Sequence, residues 1–473
     1  MKKILTFILI SCFCNSYSQF SQTAIISNLQ SPVAFDWMPN GNYLITLKGT
    51  GSSPSTNAKI QVYSSTGTFL NTFYDLSDST NSDFERGVLG ICVDPSFNNN
   101  HFVYVYYNHN YNGDERIRIV KFTESGNAGT NPQLILDHDV LTAIPGNHVG
   151  GNLHMHASEP DKLYFTIGEV ANSANAQLLT NPYGKVLRIN TDGSIPIDNP
   201  FYDDGNPSTG TDDRIWSYGH RNPFDFCFSP VNDSLYNSEN GASTWDEANI
   251  VRKGANYGWG SCEGNYITGS TSTLCTNPNF TNPITAWNPL PAVTGIMVYS
   301  GTVFPQLNTH LLVAGNNNGN IYNCTLGNPP AYNTVTSNVL WKNVSTMLTT
   351  IRQGTDGCVY ALKGGYTTTG TLFRVCPSGV YTEEYIPNLI ETEIFPNPSG
   401  AFAEIRFNLN KRDHVKIYLT DVTLRQVAVL LDAEQDAGIH TIDSDQSNIP
   451  NGTYFCHIQT ANDTRVLKMV IVK

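Results

Sequence analysis

A turn rich in Pro, Asp, Asn or Gly, followed at once by a short strand bearing an aromatic or aliphatic pair, recurs six times along the chain. The copies are Met38–Thr46 (MPNGNYLIT), Asp94–Tyr107 (DPSFNNNHFVYVYY), Glu159–Glu169 (EPDKLYFTIGE), Ser229–Gly241 (SPVNDSLYNSENG), Pro305–Gly319 (PQLNTHLLVAGNNNG) and Gly354–Gly365 (GTDGCVYALKGG). Turn formers punctuate and aromatic or β-branched residues extend, so each copy reads as one hairpin. A spacing of roughly 50 to 75 residues is too long for a solenoid and fits propeller blades carrying loop insertions. Ordinary hairpins in a sandwich are the alternative, but a sandwich rarely exceeds roughly 250 residues and this repeat spans most of a 473-residue chain. The expectation is an all-β protein: a six-bladed β-propeller over residues 24–377, then a small β-sandwich. A propeller gathers sequence-distant turns at one mouth, so His148, Arg221, Glu239 and Glu247 are expected as neighbours.

Only 14% of residues are charged, while Gly (38), Pro (25) and aromatics (11%) are plentiful, which favours strands and turns over helices. The net charge of -13 argues against a nucleic-acid or anionic-membrane partner, which needs a basic face. Two lysines, the apolar run Ile4–Ile10 and a small, polar stretch to Ser18 read as a secretory signal peptide over residues 1–18. Processing at Cys12 with a lipid anchor is the alternative. No later apolar run reaches the length of a membrane span. Of ten cysteines, Cys12 and Cys14 fall in that leader, and export permits the other eight to oxidise. Cys262 with Cys275, and Cys358 with Cys376, bracket loops suited to disulfides, whereas Cys92 and Cys227 sit in apolar runs as core residues. The spacings do not resemble a zinc site.

The repeat stops near Pro377. Residues 378–393 read as a polar linker, and residues 394–473 alternate apolar and polar positions in EIRFNL (Glu404–Leu409) and HVKIYLTD (His414–Asp421), the pattern of the small sandwich. His440 reads as structural. This segment resembles the type A sorting domain of the type IX secretion system, through FPNPS from Phe395, GIHTID (Gly438–Asp443), NGTYFCHI (Asn451–Ile458) and KMVIVK (Lys468–Lys473). The resemblance implies the type IX machinery as a partner and a secreted or cell-surface protein.

Chemistry-capable residues concentrate between Arg214 and Gly260, where His220, Arg221 and Asn222 precede one apolar run and Glu239, Asn240 and Gly241 follow the next. Asp246 and Glu247 then stand ahead of a Gly/Asn/aromatic turn, Ala255–Trp259. Such a loop suits a hard cation or a polar ligand. Residues 24–377 resemble the glucose/sorbosone dehydrogenase family through ERGVLGICVDPSF (Glu85–Phe97), NHVGGNL (Asn147–Leu153), GKVLRINTDGSIPIDNPF (Gly184–Phe201), YGHRNPFDF (Tyr218–Phe226), SENG (Ser238–Gly241) and DEANIVRKGANYGWG (Asp246–Gly260). That resemblance implies pyrroloquinoline quinone (PQQ), Ca²⁺ and a sugar or polyol substrate. It casts His148 as general base, Arg221 as electrostatic partner of the reduced quinone, and Arg221, Asn222 and Asn240 as cofactor contacts. Glu85 and Asn147 occupy substrate-side positions. Calcium ligands would come from the backbone of Gly241 and Ala242, the Glu247 carboxylate and the Tyr257 carbonyl. Where the sugar dehydrogenases place cations for the quinone carboxylates, this chain has Asn317, Met347 and Thr349, with Arg352 nearby; each charge-assisted bond so lost is worth about 1.5–3 kcal/mol. Two functions follow: a PQQ- and calcium-dependent oxidoreductase, or a non-catalytic calcium-stabilised propeller that binds carbohydrate or protein. No nucleophile–base pair at a recognisable spacing supports a hydrolase.

Overall fold

The computed structural model describes residues 20–51, 54–139, 146–365, 369–378, 389–423, 425–460 and 463–473, so the leader at residues 1–18 lies outside the described residues. The chain forms two compact units, Met1–Ser378 and Gly379–Lys473.

Among the described residues, the first unit contains six four-stranded antiparallel sheets in succession. Their leading strands are Pro32–Trp37, Val88–Val93, Leu153–His156, Pro223–Phe228, Val293–Val298 and Leu348–Gln353. Each of the six recurring segments supplies most of the second strand of one sheet, and all but Glu159–Glu169, which begins with its strand, also supply the turn into it. The leading strands touch in a closed cycle, first to second and onward until the sixth meets the first. The last sheet is completed by Phe20–Leu29, which pairs antiparallel with Gly370–Pro377, so the described N-terminal strand closes the ring.

Apolar residues explain why the sheets stand face to face. Six buried clusters fill the junctions between consecutive sheets, one per junction. Leu44 and Ile60 meet Val88 and Val105, and Tyr104 and Ile117 meet Leu153 and Phe165. Val186 meets Phe226, Tyr236 meets Val313, Leu312 meets Ile351, and Leu362 meets Phe35. Sheets covered on both faces need strands apolar on both faces, and Val88–Val93 and Leu311–Gly315 are of that kind.

Six lead-in turns bend the chain into the leading strands, and each contains a left-handed residue: Ser31, Phe84, His148, Gly219, Ala292 and Met347. A non-glycine residue there is uncommon, so its recurrence marks a constraint of the architecture that His148 shares. Disulfides join Cys262 to Cys275 and Cys358 to Cys376, while Cys92 and Cys227 are free.

In the second unit, a three-stranded and a four-stranded sheet share one apolar cluster that includes Ile405, Phe407, Ile417, Cys456 and Met469. The strand Phe402–Leu409 alternates exposed and buried residues as its sequence anticipates. The segment expected as linker up to Glu393 includes strand at its described end. Leu389–Phe395 is already a strand paired with Phe402–Leu409, because Leu389 and Ile394 are drawn into the cluster. His440 stacks on Phe407 at 5.2 Å.

The closed cycle depends on close backbone approach. A Cβ on Gly295, in the fifth leading strand, would lie 2.3 Å from the Ile351 nitrogen and 2.6 Å from Thr350 backbone carbons in the sixth. Gly295→Ala is therefore expected to lower stability by about 1–3 kcal/mol in chemical denaturation. An unchanged midpoint would mean that the strands have room to part.

Candidate active site

The site begins at the lead-in turn of the third sheet. The His148 backbone N–H donates to Glu85 Oε2 at 2.6 Å, and its imidazole Nδ1 lies 2.5 Å from Glu169 Oε1. Glu169 follows the second strand of the same sheet and is 2% exposed. An ionised carboxylate only accepts, so a neutral imidazole facing one carries its proton on Nδ1 and its lone pair on Nε2. Nε2 has no hydrogen-bond partner among the described residues, and the side chain keeps 16% exposure. The ring is thus held by one nitrogen and open at the other.

The next turn arrives from the fourth sheet. The Glu169 backbone N–H donates to the Arg221 carbonyl at 2.7 Å, and Asn222 Oδ1 accepts from Gly150 N at 3.3 Å. Arg221 Nη1 donates to the Asn240 carbonyl at 3.1 Å, and Asn240 N donates to the Asn222 carbonyl at 3.2 Å. Arg221 makes no ion pair among the described residues; its guanidinium lies 5.3 Å from the Trp259 ring centre. Burial pulls its pKa down, against the opposing field of Glu169, Glu263, Glu85 and Glu239. Its charge therefore remains available to an anion at the mouth.

His220 shows what the same arrangement becomes when closed. Its Nδ1 meets Glu239 Oε2 at 2.7 Å, just as Glu169 meets His148, and Glu239 is the last residue of the second strand of its own sheet where Glu169 lies just past its own. But Nε2 of His220 is taken by Ser217 Oγ at 2.9 Å, the ring stacks on Tyr257, and its side chain is 0% exposed. Both sheets repeat one histidine–glutamate device, and the free nitrogen is what separates His148 from a structural histidine.

Beside this lies a carboxylate cluster. Asp246 and Glu247, expected ahead of a turn, open the strand Asp246–Val251, which is buried throughout despite its polar start. Burial, and then the charge of Glu239, push the Glu247 carboxyl well above its ordinary range. Burial alone would raise Glu263 too, but Glu263 Oε1 accepts the N–H groups of Ala242, Ser243, Thr244 and Trp245 at 2.8–3.1 Å, and the carboxyl is held below its usual value. Gly241 N donates to Asp246 Oδ1. With these N–H groups turned onto carboxylates, the carbonyls of Gly241, Ala242 and Tyr257 have no donor among the described residues. Asn237 Oδ1 and Asn249 Oδ1 are buried and equally unpartnered. The donorless carbonyl and amide oxygens are hard ligands of the kind a Ca²⁺-class ion takes, while both oxygens of Glu247 already accept, from Asn249 Nδ2 at 3.2 Å and Gly264 N at 2.9 Å.

The turns enclose a cavity of about 60 Å³ lined by Lys48, Glu85, Gly150, Asn152, Phe224 and Thr349, among others. Glu85 is also committed to the His148 turn, whereas Asn147 is exposed. Arg352 turns away: Nε donates to the Phe35 carbonyl at 2.9 Å and Nη2 to His154 Nδ1 at 3.3 Å. Sequence reasoning missed Glu169, Lys48 and Glu263. For Glu169 a signal existed, since IGE ends one repeat as SENG ends the next. Lys48 had none, because its place at the cavity depends on ring closure.

The class this defines is an all-β ring of sheets with a polar, histidine-bearing mouth. The sequence model of the Glucose / Sorbosone dehydrogenase family matches residues 29–374, and this chain belongs to that family. Residues 393–473 match the Secretion system C-terminal sorting domain. An uncharacterised protein of Synechocystis is 28% identical over 351 residues, covering 72% of this chain and 82% of the relative. Quinoprotein glucose dehydrogenase B of Acinetobacter calcoaceticus is 30% identical over 272 residues, covering 52% of this chain and 53% of that enzyme. The solved apo-form of the soluble aldose sugar dehydrogenase of Escherichia coli superposes with a TM-score of 0.66 at 24% identity, covering 76% of this chain and all of that one. The PQQ-bound aldose sugar dehydrogenase of Streptomyces coelicolor superposes at 0.59 and 21%, over 76% of this chain and 99% of its own. At those identities the superpositions establish the shared fold.

Lys48 gives the mouth a measurable pH signature. Burial lowers its pKa from 10.5 to about 8, so between those values the unfolded chain holds more protons and stability rises with pH. Relative to Lys48→Met, the wild type should gain up to about 3 kcal/mol across that window in denaturant titrations. Parallel pH curves would show the ammonium to be solvated.

Proposed function

We propose that the protein is an exported, PQQ- and calcium-dependent dehydrogenase of a sugar or polyol hydroxyl, working at the mouth of a six-bladed propeller that spans residues 24–377. His148 carries the reading: a histidine polarised by a buried glutamate, whose second nitrogen has no partner among the described residues, with Arg221 on the next turn making no ion pair there. Nε2 would take the proton of the substrate hydroxyl, and Glu169 would stabilise the imidazolium that results. Arg221, tethered through Asn240, would face the negative charge that develops as the hydroxyl carbon is oxidised. Glu85 and Asn147 would meet the sugar's other hydroxyls. PQQ, when bound, would supply the hydride acceptor, held by Arg221, Asn222 and Asn240. Calcium would rest on Gly241, Ala242, Glu247 and Tyr257, where the three carbonyls have no donor among the described residues.

The sorting-domain match supports export by the type IX route, with residues 394–473 as a sandwich read by that machinery and the protein released or held at the cell surface. No helix among the described residues is long and apolar enough to cross a membrane.

One observation favours the second reading, a non-catalytic calcium-stabilised propeller that binds carbohydrate or protein. Arg352 is spent on Phe35 and His154, Lys48 Nζ already donates to the Ser82 carbonyl, and Met347 and Thr349 bring no charge, so quinone carboxylates would rely on Arg221. Dye reduction by the purified protein with added PQQ and Ca²⁺, across an aldose panel, separates the two. The enzyme reading expects turnover that falls about 10²- to 10⁴-fold in His148→Ala. No turnover and no quinone absorbance change, together with calcium-dependent glycan binding, would establish the binding module instead.

A further inference from the structure

A second group of carboxylates lies in the long connection between the third and fourth strands of the third sheet, Lys185–Asn190 and Ile215–Tyr218. One oxygen each from Asp203, Asp204 and Asp213 lies within 4.8 Å of the other two. An acidic cluster on a loop is ordinarily a solvated face, but Asp213 is 0% exposed. Its Oδ1 accepts the Asp203 backbone N–H at 2.5 Å, while Oδ2 is buried with no partner. The cation beside it is spent elsewhere: Arg214 grips Asp212 through two bonds of 2.6–2.8 Å, and no ion pair among the described residues reaches Asp203, Asp204 or Asp213.

The surrounding bonds fix the orientation of these carboxyl groups. Asp203 Oδ2 accepts from Thr211 N and Oγ1 at 2.9 and 3.0 Å, and Asp204 accepts from Asn206 N and Thr209 Oγ1 at 2.8 and 2.6 Å. The cradle is anchored from below, since Asn199 Nδ2 donates to the carbonyls of Asp213 and Arg188. A buried carboxylate oxygen without donor or counter-charge costs several kcal/mol. Two further carboxylates at this distance add repulsion that a divalent cation reverses. The donors are all hard oxygen, with no His or Cys, which disfavours the softer transition metals and suits a hard divalent ion such as Ca²⁺.

We propose that Asp203, Asp204 and Asp213 form a Ca²⁺ site that closes the 203–213 loop, separate from the mouth of the ring. The role is structural: the ion ties the start of the fourth strand to the loop that precedes it.

The test uses the full-length protein, stripped with chelator and titrated with CaCl₂ under native mass spectrometry. Asp203→Asn and Asp213→Asn should each bind one calcium fewer than the wild type, whatever the mouth binds. Thermal melts supply a reading that survives if a variant is merely weakened. In chelator, Asp213→Asn should melt no lower than the wild type, because an amide relieves the unpaired buried charge; with Ca²⁺ the wild type should rise further than the variant. Chelator should also expose the wild-type loop between 203 and 212 to limited proteolysis. Equal calcium stoichiometry in all three proteins would overturn the site, as would an Asp213→Asn melting deficit of the same size with and without calcium.

Discussion

A single buried carboxylate shows how the ring is held at its centre. Asp225, 2% exposed in the fourth leading strand, accepts from Asn152 Nδ2 at 2.6 Å and meets His154 Nε2 at 3.0 Å, both from the third sheet. Its other oxygen accepts from Thr350 Oγ1 of the sixth sheet at 3.1 Å, and His154 is reached in turn by Arg352, which also binds the first sheet. Four sheets thus converge on one polar network, whose members are costly to leave unpaired and are paired here. Burial, and then the Arg352 charge, keep the His154 pKa low, so the network is held in one protonation pattern near neutrality. Apolar junctions make the sheets stack; this network, with the glycine contacts around it, sets how closely they approach.

That closeness makes the mouth possible. Once the leading strands are fixed, their lead-in turns have nowhere to go but against each other, and Glu85, His148, Arg221 and Asn240 come from three turns and a strand end bound into one hydrogen-bonded set. The histidine–glutamate pairs of the third and fourth sheets then diverge by one contact. Ser217 closes the ring of His220, and no described residue closes that of His148. A repeated structural device has become a candidate base by leaving one nitrogen bare.

Much of the fold was legible because its signals are local. Turn formers followed by aromatic strands mark the first hairpin of every sheet, and alternation in Glu404–Leu409 reports the second unit. The start of that unit was harder to see, since Leu389 and Ile394 sit among polar neighbours and show their worth only once buried. At the site, His148, Arg221 and Asn222 stand in recognisable motifs. Lys48 and Glu263 do not, as a lysine or glutamate in a loop reads as solvated until ring closure buries it. Arg352 misled in the opposite sense: its position along the chain placed it near the mouth, but His154 and the Phe35 carbonyl hold its side chain in the axial network.

The proton on His148 is the most direct witness of this account. ¹⁵N NMR of the imidazole at a pH where it is neutral should show Nδ1 protonated and Nε2 bare, the reverse of the tautomer that free histidine prefers, with the preference lost in Glu169→Gln. A neutral His148 protonated on Nε2 in the wild type would contradict it, because the nitrogen facing the mouth could then take no proton from a substrate.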